Sequence, residues 1–266
     1  MNEPVRVFSD LHLGHKVSRI GQVSALRPLI AGAGTVVFNG DTWQELARPF
    51  YDRSKEMLAE LKSLCREEGA KTVFLAGNHD PGWPGPGWVA LAEGKIVITH
   101  GDAVLFDGSP WKREILVAGR RVLELWDEHP GAEQDAGQRM RLAREIAREL
   151  CSVEYPLGRT FLQRTWDAIR PPRRALKMIE AWRTQGTASA RFCERYFPDA
   201  EILLIGHFHR VGCWVINGRR ILNTGSFTTP GRAQWAEWAD GCLSHGWIDE
   251  TPESCHKGET LDVWRL

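Results

Sequence analysis

The sequence predicts an α/β fold, and two features carry that prediction. Short β-branched or apolar runs (5–9, 35–39, 72–76, 95–99 and 202–205) alternate with segments whose apolar residues recur at helical spacing. Each run passes directly into Asp, Asn or His, often beside a Gly: Asp10-Leu11-His12, Gly40-Asp41, Gly77-Asn78-His79-Asp80, His100-Gly101-Asp102 and Gly206-His207-Phe208-His209. Open α/β sheets place their ligand sites just beyond the carboxyl ends of the strands, so these junctions read as one polar cluster on one rim of a sheet.

Taken in order, the first strand is followed by Ile20, Val23, Leu26, Leu29 and Ile30, which predict a helix. After the second strand, residues 52–68 carry Met57, Leu58, Leu61 and Leu64 on one face and charges elsewhere, a surface helix closed by Gly69. The third strand delivers Gly77-Asn78-His79-Asp80. A Pro/Gly/Trp loop follows at 81–87, and the fourth strand ends at His100. From 109 to 197 the strand runs stop and Arg/Ala/Leu/Glu-rich stretches take over, with Gly158, Pro171, Pro172 and Gly186 expected to mark breaks. This reads as a helical insertion within one domain spanning 1–266. The strand pattern resumes at Glu201, and Asn217-Gly218 between two β-rich runs predicts a hairpin. A last strand is expected within 260–266.

Composition narrows the function. The formal net charge is zero, which argues against a general nucleic-acid binder. The six cysteines show no CxxC spacing, so neither a zinc ribbon nor a disulfide framework is indicated. Met1 leads into the first strand without an apolar signal segment, and no apolar run is long enough to span a bilayer. A reduced, cytoplasmic protein is the expectation.

The cluster holds Asp10, His12, Asp41, Asn78, His100, His207 and His209. Imidazole nitrogens mixed with carboxylate and amide oxygens suit first-row divalent ions, manganese, iron or zinc among them. The set is too large for one such ion and suits two that share a carboxylate, an arrangement used on phosphate esters. Two divalent ions outweigh two aspartates, so the site keeps a positive surplus for an anion. His129, His245 and His256 lie outside the blocks and are expected on the surface, while His15 is either a substrate contact or ordinary loop polarity.

The ordered blocks Asp-x-His, Gly-Asp, Gly-Asn-His-Asp, His-Gly-Asp and Gly-His-x-His resemble those of the calcineurin-like metallophosphoesterase superfamily, over residues 5 to about 227 outside the insertion. The resemblance implies a four-layer αββα sandwich of two packed sheets flanked by helices. It implies that Asp10, His12, Asp41 and His209 hold one divalent ion and that Asp41, Asn78, His100 and His207 hold the other. Manganese is the first choice, with iron or zinc as alternatives. His79 matches the catalytic histidine, and Asp80 would orient its ring by accepting a hydrogen bond. The implied reaction is attack of a metal-activated hydroxide on phosphorus. Asn223-Thr224-Gly225-Ser226 resembles a turn that supports the metal loops.

Among branches of the superfamily, the protein Ser/Thr phosphatases carry Arg where this chain has Gly40-Asp41-Thr42-Trp43-Gln44 and Ala76. The layout is more similar to the UDP-2,3-diacylglucosamine pyrophosphohydrolases, which also start at Ser-Asp-Leu-His-Leu and insert helices before Gly-His-x-His. In that family the insertion is a lid. Here basic residues between 159 and 183 alternate with Trp166, Trp182 and aliphatic residues, either a membrane- or lipid-contacting surface or a face packed on its own domain. His79 departs from that branch, where Arg is common. A general phosphodiesterase or phosphomonoesterase is the alternative, and a non-catalytic metal-binding scaffold is the alternative of another class.

Overall fold

A computed structural model describes residues 1–111, 118–151 and 172–266. The strands are β1 (Val5–Phe8), β2 (Thr35–Asn39), β3 (Lys71–Leu75), β4 (Trp88–Leu91), β5 (Ile96–Thr99), β6 (Ile202–Ile205), β7 (Gly212–Ile216), β8 (Arg219–Asn223), β9 (Gln234–Ala239), β10 (Cys242–Glu250) and β11 (Cys255–Arg265). The helices are α1 (Arg27–Ile30), α2 (Tyr51–Glu67), α3 (Gly119–Glu128), α4 (Ala136–Glu149) and α5 (Pro172–Tyr196). One sheet runs β11-β10-β9-β1-β2-β3 and the other β4-β5-β6-β8-β7, with β1, β2 and β3 mutually parallel and β5, β6 and β8 likewise.

Strand alternation builds the layers. Val5, Val7 and Val37 turn inward to meet Ile96, Ile98, Ile202 and Leu204 of the other sheet. Their neighbours Phe8, Val36 and Phe38 turn outward, onto Met57, Leu61 and Leu64 of α2 and onto Leu26, Leu29 and Ile30. On the second sheet Val97, Leu203 and Ile205 face Met140 and Ala143 of α4 and Phe192 and Cys193 of α5. Helix, sheet, sheet, helix is the expected αββα order. The insertion adds a satellite core, with Val122 and Leu125 of α3 on Leu142 and Ile146 of α4.

Several expectations are corrected. Residues 20–30 form a 3₁₀ turn (Val23–Leu26) and the single turn α1, with Pro28 at its start, rather than a longer helix. β4, β9 and β10 were not foreseen, because Trp, Gln, His and Gly interrupt their apolar alternation, and β11 begins before residue 260. Gly186 breaks nothing: α5 runs through it, and a Cβ there would lie 2.7 Å from the Trp214 ring, so glycine allows that contact. The hairpin forms as expected, with Asn217 (φ 50°) and Gly218 (φ 76°) both left-handed. All six cysteines are unpaired. Among the described residues no helix is long and apolar enough to cross a membrane. Of the basic, aromatic 159–183 segment, 159–171 lies outside the described residues.

Candidate metal centre

The cluster forms because parallel strands from both sheets end at one rim. Asn39 Nδ2 donates to Thr99 O (2.9 Å) and His100 Nδ1 lies 3.0 Å from Asn39 O, which ties the end of β2 to the end of β5. His207 N donates to Asp10 Oδ2 (2.9 Å), tying β6 to β1. Asp10, His12, Asp41, His207 and His209 all adopt positive φ, between 48° and 66°. Left-handed backbone costs a non-glycine residue on the order of 1–2 kcal/mol, and so much of it at one rim bends the strand ends sharply into the site. Two glycines make room. A Cβ on Gly77 would stand 2.3 Å from Asp41 Oδ1, and one on Gly206 would stand 2.2 Å from Asp10 Oδ2.

Asp10, His12, Asp41 and His209 offer ligand atoms that all lie within 4.8 Å of one another. His209 Nε2 is 3.2 Å from Asp10 Oδ1, and the Nε2 atoms of His12 and His209 are 3.1 Å apart. Asp41 faces both ways. Its Oδ2 lies 3.6 Å from His12 Nε2 and its Oδ1 lies 3.5 Å from His100 Nε2, which is itself 3.4 Å from Asn78 Oδ1. The His207 ring lies 5.2 Å from that of His100, and neither of its nitrogens has a hydrogen-bond partner. All seven expected ligands are thus near one another, with Asp41 between two groups.

The donors fit divalent cations. No hydrogen bond reaches the buried Asp10 Oδ1, the His207 ring is buried without a partner, and two imidazole nitrogens converge at 3.1 Å. Such groups are costly unless a cation or proton satisfies them. Burial pushes the Asp10 and Asp41 carboxyls up, but His100 and the surrounding imidazoles together pull both below the usual range. Burial and the nearby His100 push His207 down to about 3, so its ring stays neutral, the form a metal ligand requires.

His79 and Asp80 lie at the same rim, but Asp80 does not take the expected role. Its carboxylate accepts from the backbone N–H groups of Asp41 (2.9 Å), Thr42 (2.9 Å) and Gly77 (3.0 Å) and from Trp83 Nε1 (3.0 Å), so it binds two metal loops together. Burial, then the neighbouring Asp41, push it up to about 8. The group facing His79 Nδ1 is Gln44 Oε1 (2.9 Å), and Gln44 Nε2 lies 2.9 Å from His12 Nδ1. Sequence reasoning missed Gln44, although it sits three residues past Asp41 in a quoted block, because nothing in the spacing shows a carboxamide between two rings.

The insertion also reaches the centre. Trp111 Nε1 donates to His207 O (3.1 Å) and Trp182 Nε1 to Phe208 O (2.9 Å), which fastens the His207–His209 loop from outside. The 223–226 turn supports the metal loops as expected: Asn223 Nδ2 donates to Gly206 O (3.0 Å), and Thr224 Oγ1 lies 2.9 Å from Ser9 Oγ. Thr228 Oγ1 lies 3.2 Å from His209 Nδ1. His15 lines the cavity beside the centre, its ring 4.5 Å from Phe50, and burial followed by His12 push it down to about 3. Among the outlying histidines His256 is exposed and His129 half-buried, but His245 is buried within β10, contrary to the surface position expected.

Comparison with curated proteins gave no match. Among solved structures, similar chains include Vps29 from Entamoeba histolytica (16% identity, 98% of each chain, TM-score 0.48). A predicted phosphoesterase from Streptococcus pneumoniae is 18% identical over 100% of this chain and 99% of that one, with TM-score 0.38. A dimetal phosphatase from Danio rerio is 12% identical over 97% of this chain and 98% of that one, with TM-score 0.46. The profile of the calcineurin-like phosphoesterases matches residues 3–211, most of the chain, and the protein belongs to that family.

Proposed function

We propose that the protein is a hydrolase of a phosphodiester or pyrophosphate bond, with Asp10, His12, Asp41 and His209 holding one divalent ion and Asp41, Asn78, His100 and His207 a second. The observation that carries this reading is the two-sided position of Asp41, one oxygen 3.6 Å from His12 Nε2 and the other 3.5 Å from His100 Nε2. Manganese is the favoured metal, with iron or zinc as alternatives. When bound, the ions supply Lewis-acid polarisation of the phosphoryl group and a nucleophile at neutral pH.

The chain's own part turns on where protons sit. For His12 to offer the Nε2 lone pair, its Nδ1 must carry the proton and donate to an oxygen. Gln44 supplies that oxygen when its carboxamide is turned toward His12, and its NH₂ then donates to His79 Nδ1. This leaves the His79 proton on Nε2, which lies 4.0 Å from Asp41 Oδ2, where it donates to the phosphoryl or leaving oxygen as a general acid. Gln44 therefore links the tautomer of a ligand to that of the acid. Asp80 contributes by holding the Asp41 and Gly77 backbones in place.

Beside the centre lies a cavity of about 620 Å³, whose wall includes His12, His79, Trp111, Met178, Trp182 and Arg232. Its apolar wall and arginine favour a phosphate ester that carries a bulky apolar group, and a UDP-diacylglucosamine-type lipid is one such substrate. The test is hydrolysis, with Mn²⁺, of p-nitrophenyl phosphate, bis-p-nitrophenyl phosphate and UDP-diacylglucosamine by the parent and His79→Ala. Cleavage of the lipid alone supports the pyrophosphohydrolase. Diester or monoester cleavage with an inert lipid supports the general esterase. No metal uptake and no turnover overturns the enzyme reading in favour of a scaffold.

A further inference from the structure

A second cavity, of about 670 Å³, lies in the helical insertion between α3, α4, α5 and the loop after β5. Its wall begins at Ala103, directly after His100-Gly101-Asp102. Arg139 of α4 forms part of that wall and is 3% exposed. Its Nη2 donates to Leu105 O at 2.5 Å, and its guanidinium carbon lies 4.6 Å from the centre of the Trp126 ring. Nη1 is buried and has no hydrogen-bond partner. No carboxylate is paired with the group, and burial pushes it down to about 10.

A guanidinium is charged at any pH a cell experiences, so it requires acceptors wherever it is buried. One carbonyl and one indole face leave it short. The surroundings state what would complete it. Trp126 stacks on Phe106 with ring centres 4.6 Å apart and planes 9° from parallel, and Phe192 stands on the α5 side, so the cavity offers flat apolar walls. Arg139, Arg191 and Arg195 are set against Glu180 and Glu194, which leaves the lining one positive charge in excess. Such a lining balances a monoanion better than a phosphate dianion.

We propose that this cavity is a binding site, separate from the metal centre, for a small carboxylate on a flat apolar body, with the carboxylate on Arg139 Nη1 and the body along Trp126 and Phe192. The carboxylate accepts the unpaired N–H in a charge-assisted hydrogen bond, and the apolar part covers the aromatic wall. Nothing in the phosphoesterase reaction uses Arg139, so the site stands whether or not the proposed hydrolysis is correct.

Calorimetric titration of 2-naphthoate, and in parallel of uncharged 2-naphthamide, tests the site in the parent, Arg139→Met and Ala188→Trp. Arg139→Met removes the charge while keeping a long side chain, and Ala188→Trp fills the cavity without touching Arg139. The expected result is one 2-naphthoate per chain, at least tenfold weaker binding of the amide, and at least tenfold weaker 2-naphthoate binding in each variant. The amide comparison uses the parent alone and so does not depend on a variant folding. No saturable binding of 2-naphthoate to the parent, equal binding of acid and amide, or unchanged affinity in either folded variant overturns the proposal.

Discussion

At the rim of the sandwich the buried carboxylates of Asp10 and Asp41 are each approached by several imidazoles, whereas in the helical insertion the buried guanidinium of Arg139 meets one carbonyl and one indole face. Both regions bury charge, and they do so differently. At the rim each charged group is a partner of the others, so removing one leaves several unpaired, and effects there should exceed any sum of pairs. In the insertion a single cation stands apart, and its removal strands little. Mutual dependence marks the proposed chemistry, and a solitary buried charge marks a vacancy in pairing.

The largest effect that sharpens this contrast is expected from Asp41→Asn. The substitution keeps shape and removes the one carboxylate that faces both His12 and His100. Metal content measured on the purified variant should fall, and kcat/KM on bis-p-nitrophenyl phosphate should drop at least on the order of 10²–10³-fold, the scale of losing one positioned electrostatic group. Full metal content with near-parental turnover would mean that Asp41 is not shared. Gln44→Leu comes next. It leaves every proposed ligand in place but removes the bridge between His12 Nδ1 and His79 Nδ1. A loss of about 10–100-fold is expected, typical of groups that orient ligands. It should fall mainly on kcat, because the bridge sets which His79 nitrogen holds a proton rather than how substrate binds. A loss confined to KM would reduce Gln44 to packing.

These two residues also show how far the sequence was legible. Asp41 was readable because a metal loop needs a sharp turn and a carboxylate in sequence contact, and Gly40-Asp41 after an apolar run displays both. The same holds for the other strand-end blocks and for the strands that carry them. Gln44 and the tryptophans Trp111 and Trp182 were not readable, because their partners lie 32 or more residues away, except Trp182's carbonyl at Phe208, which is 26 away. Asp80 was read as the partner of His79 because the two are adjacent in sequence, yet its oxygens are taken by backbone N–H groups of two loops. β9 and β10 escaped because Gly246 and His245 interrupt the apolar pattern on strands that are nonetheless half-covered by their neighbours.

Arg139→Met should change stability little, in contrast to the rim. It loses the bond to Leu105 O and the contact with Trp126, and it removes a buried cation with an unpaired N–H. Replacing buried charge by an apolar chain of similar volume is often neutral or stabilising, and the two terms here should cancel to within about 1 kcal/mol in urea denaturation. A destabilisation of several kcal/mol would show that Arg139 is tied into the fold as firmly as the rim ligands are to each other.

The smallest effect is confined to acid pH and concerns His245. It is buried on β10 with its ring 5.0 Å from that of Trp264, and neither ring nitrogen has a hydrogen-bond partner. Burial holds its pKa below the ordinary value, opposed in part by Asp262 across the strand pair. A depressed histidine binds a proton less readily in the folded chain than in the unfolded one. Its contribution to stability is therefore complete above the unfolded pKa of roughly 6.5 and is lost as pH falls from there through the folded value. His245→Phe keeps a buried ring and abolishes that titration. The melting temperatures of parent and variant should keep a constant difference above neutrality, and the difference should shift in favour of the variant as pH is lowered. The rim histidines titrate alike in both proteins and cancel in this difference. A difference that stays flat with pH would mean that the His245 imidazole is compensated when charged, as those of the rim are by their carboxylates, and the contrast between paired and solitary buried groups would not extend to the outer half of the first sheet.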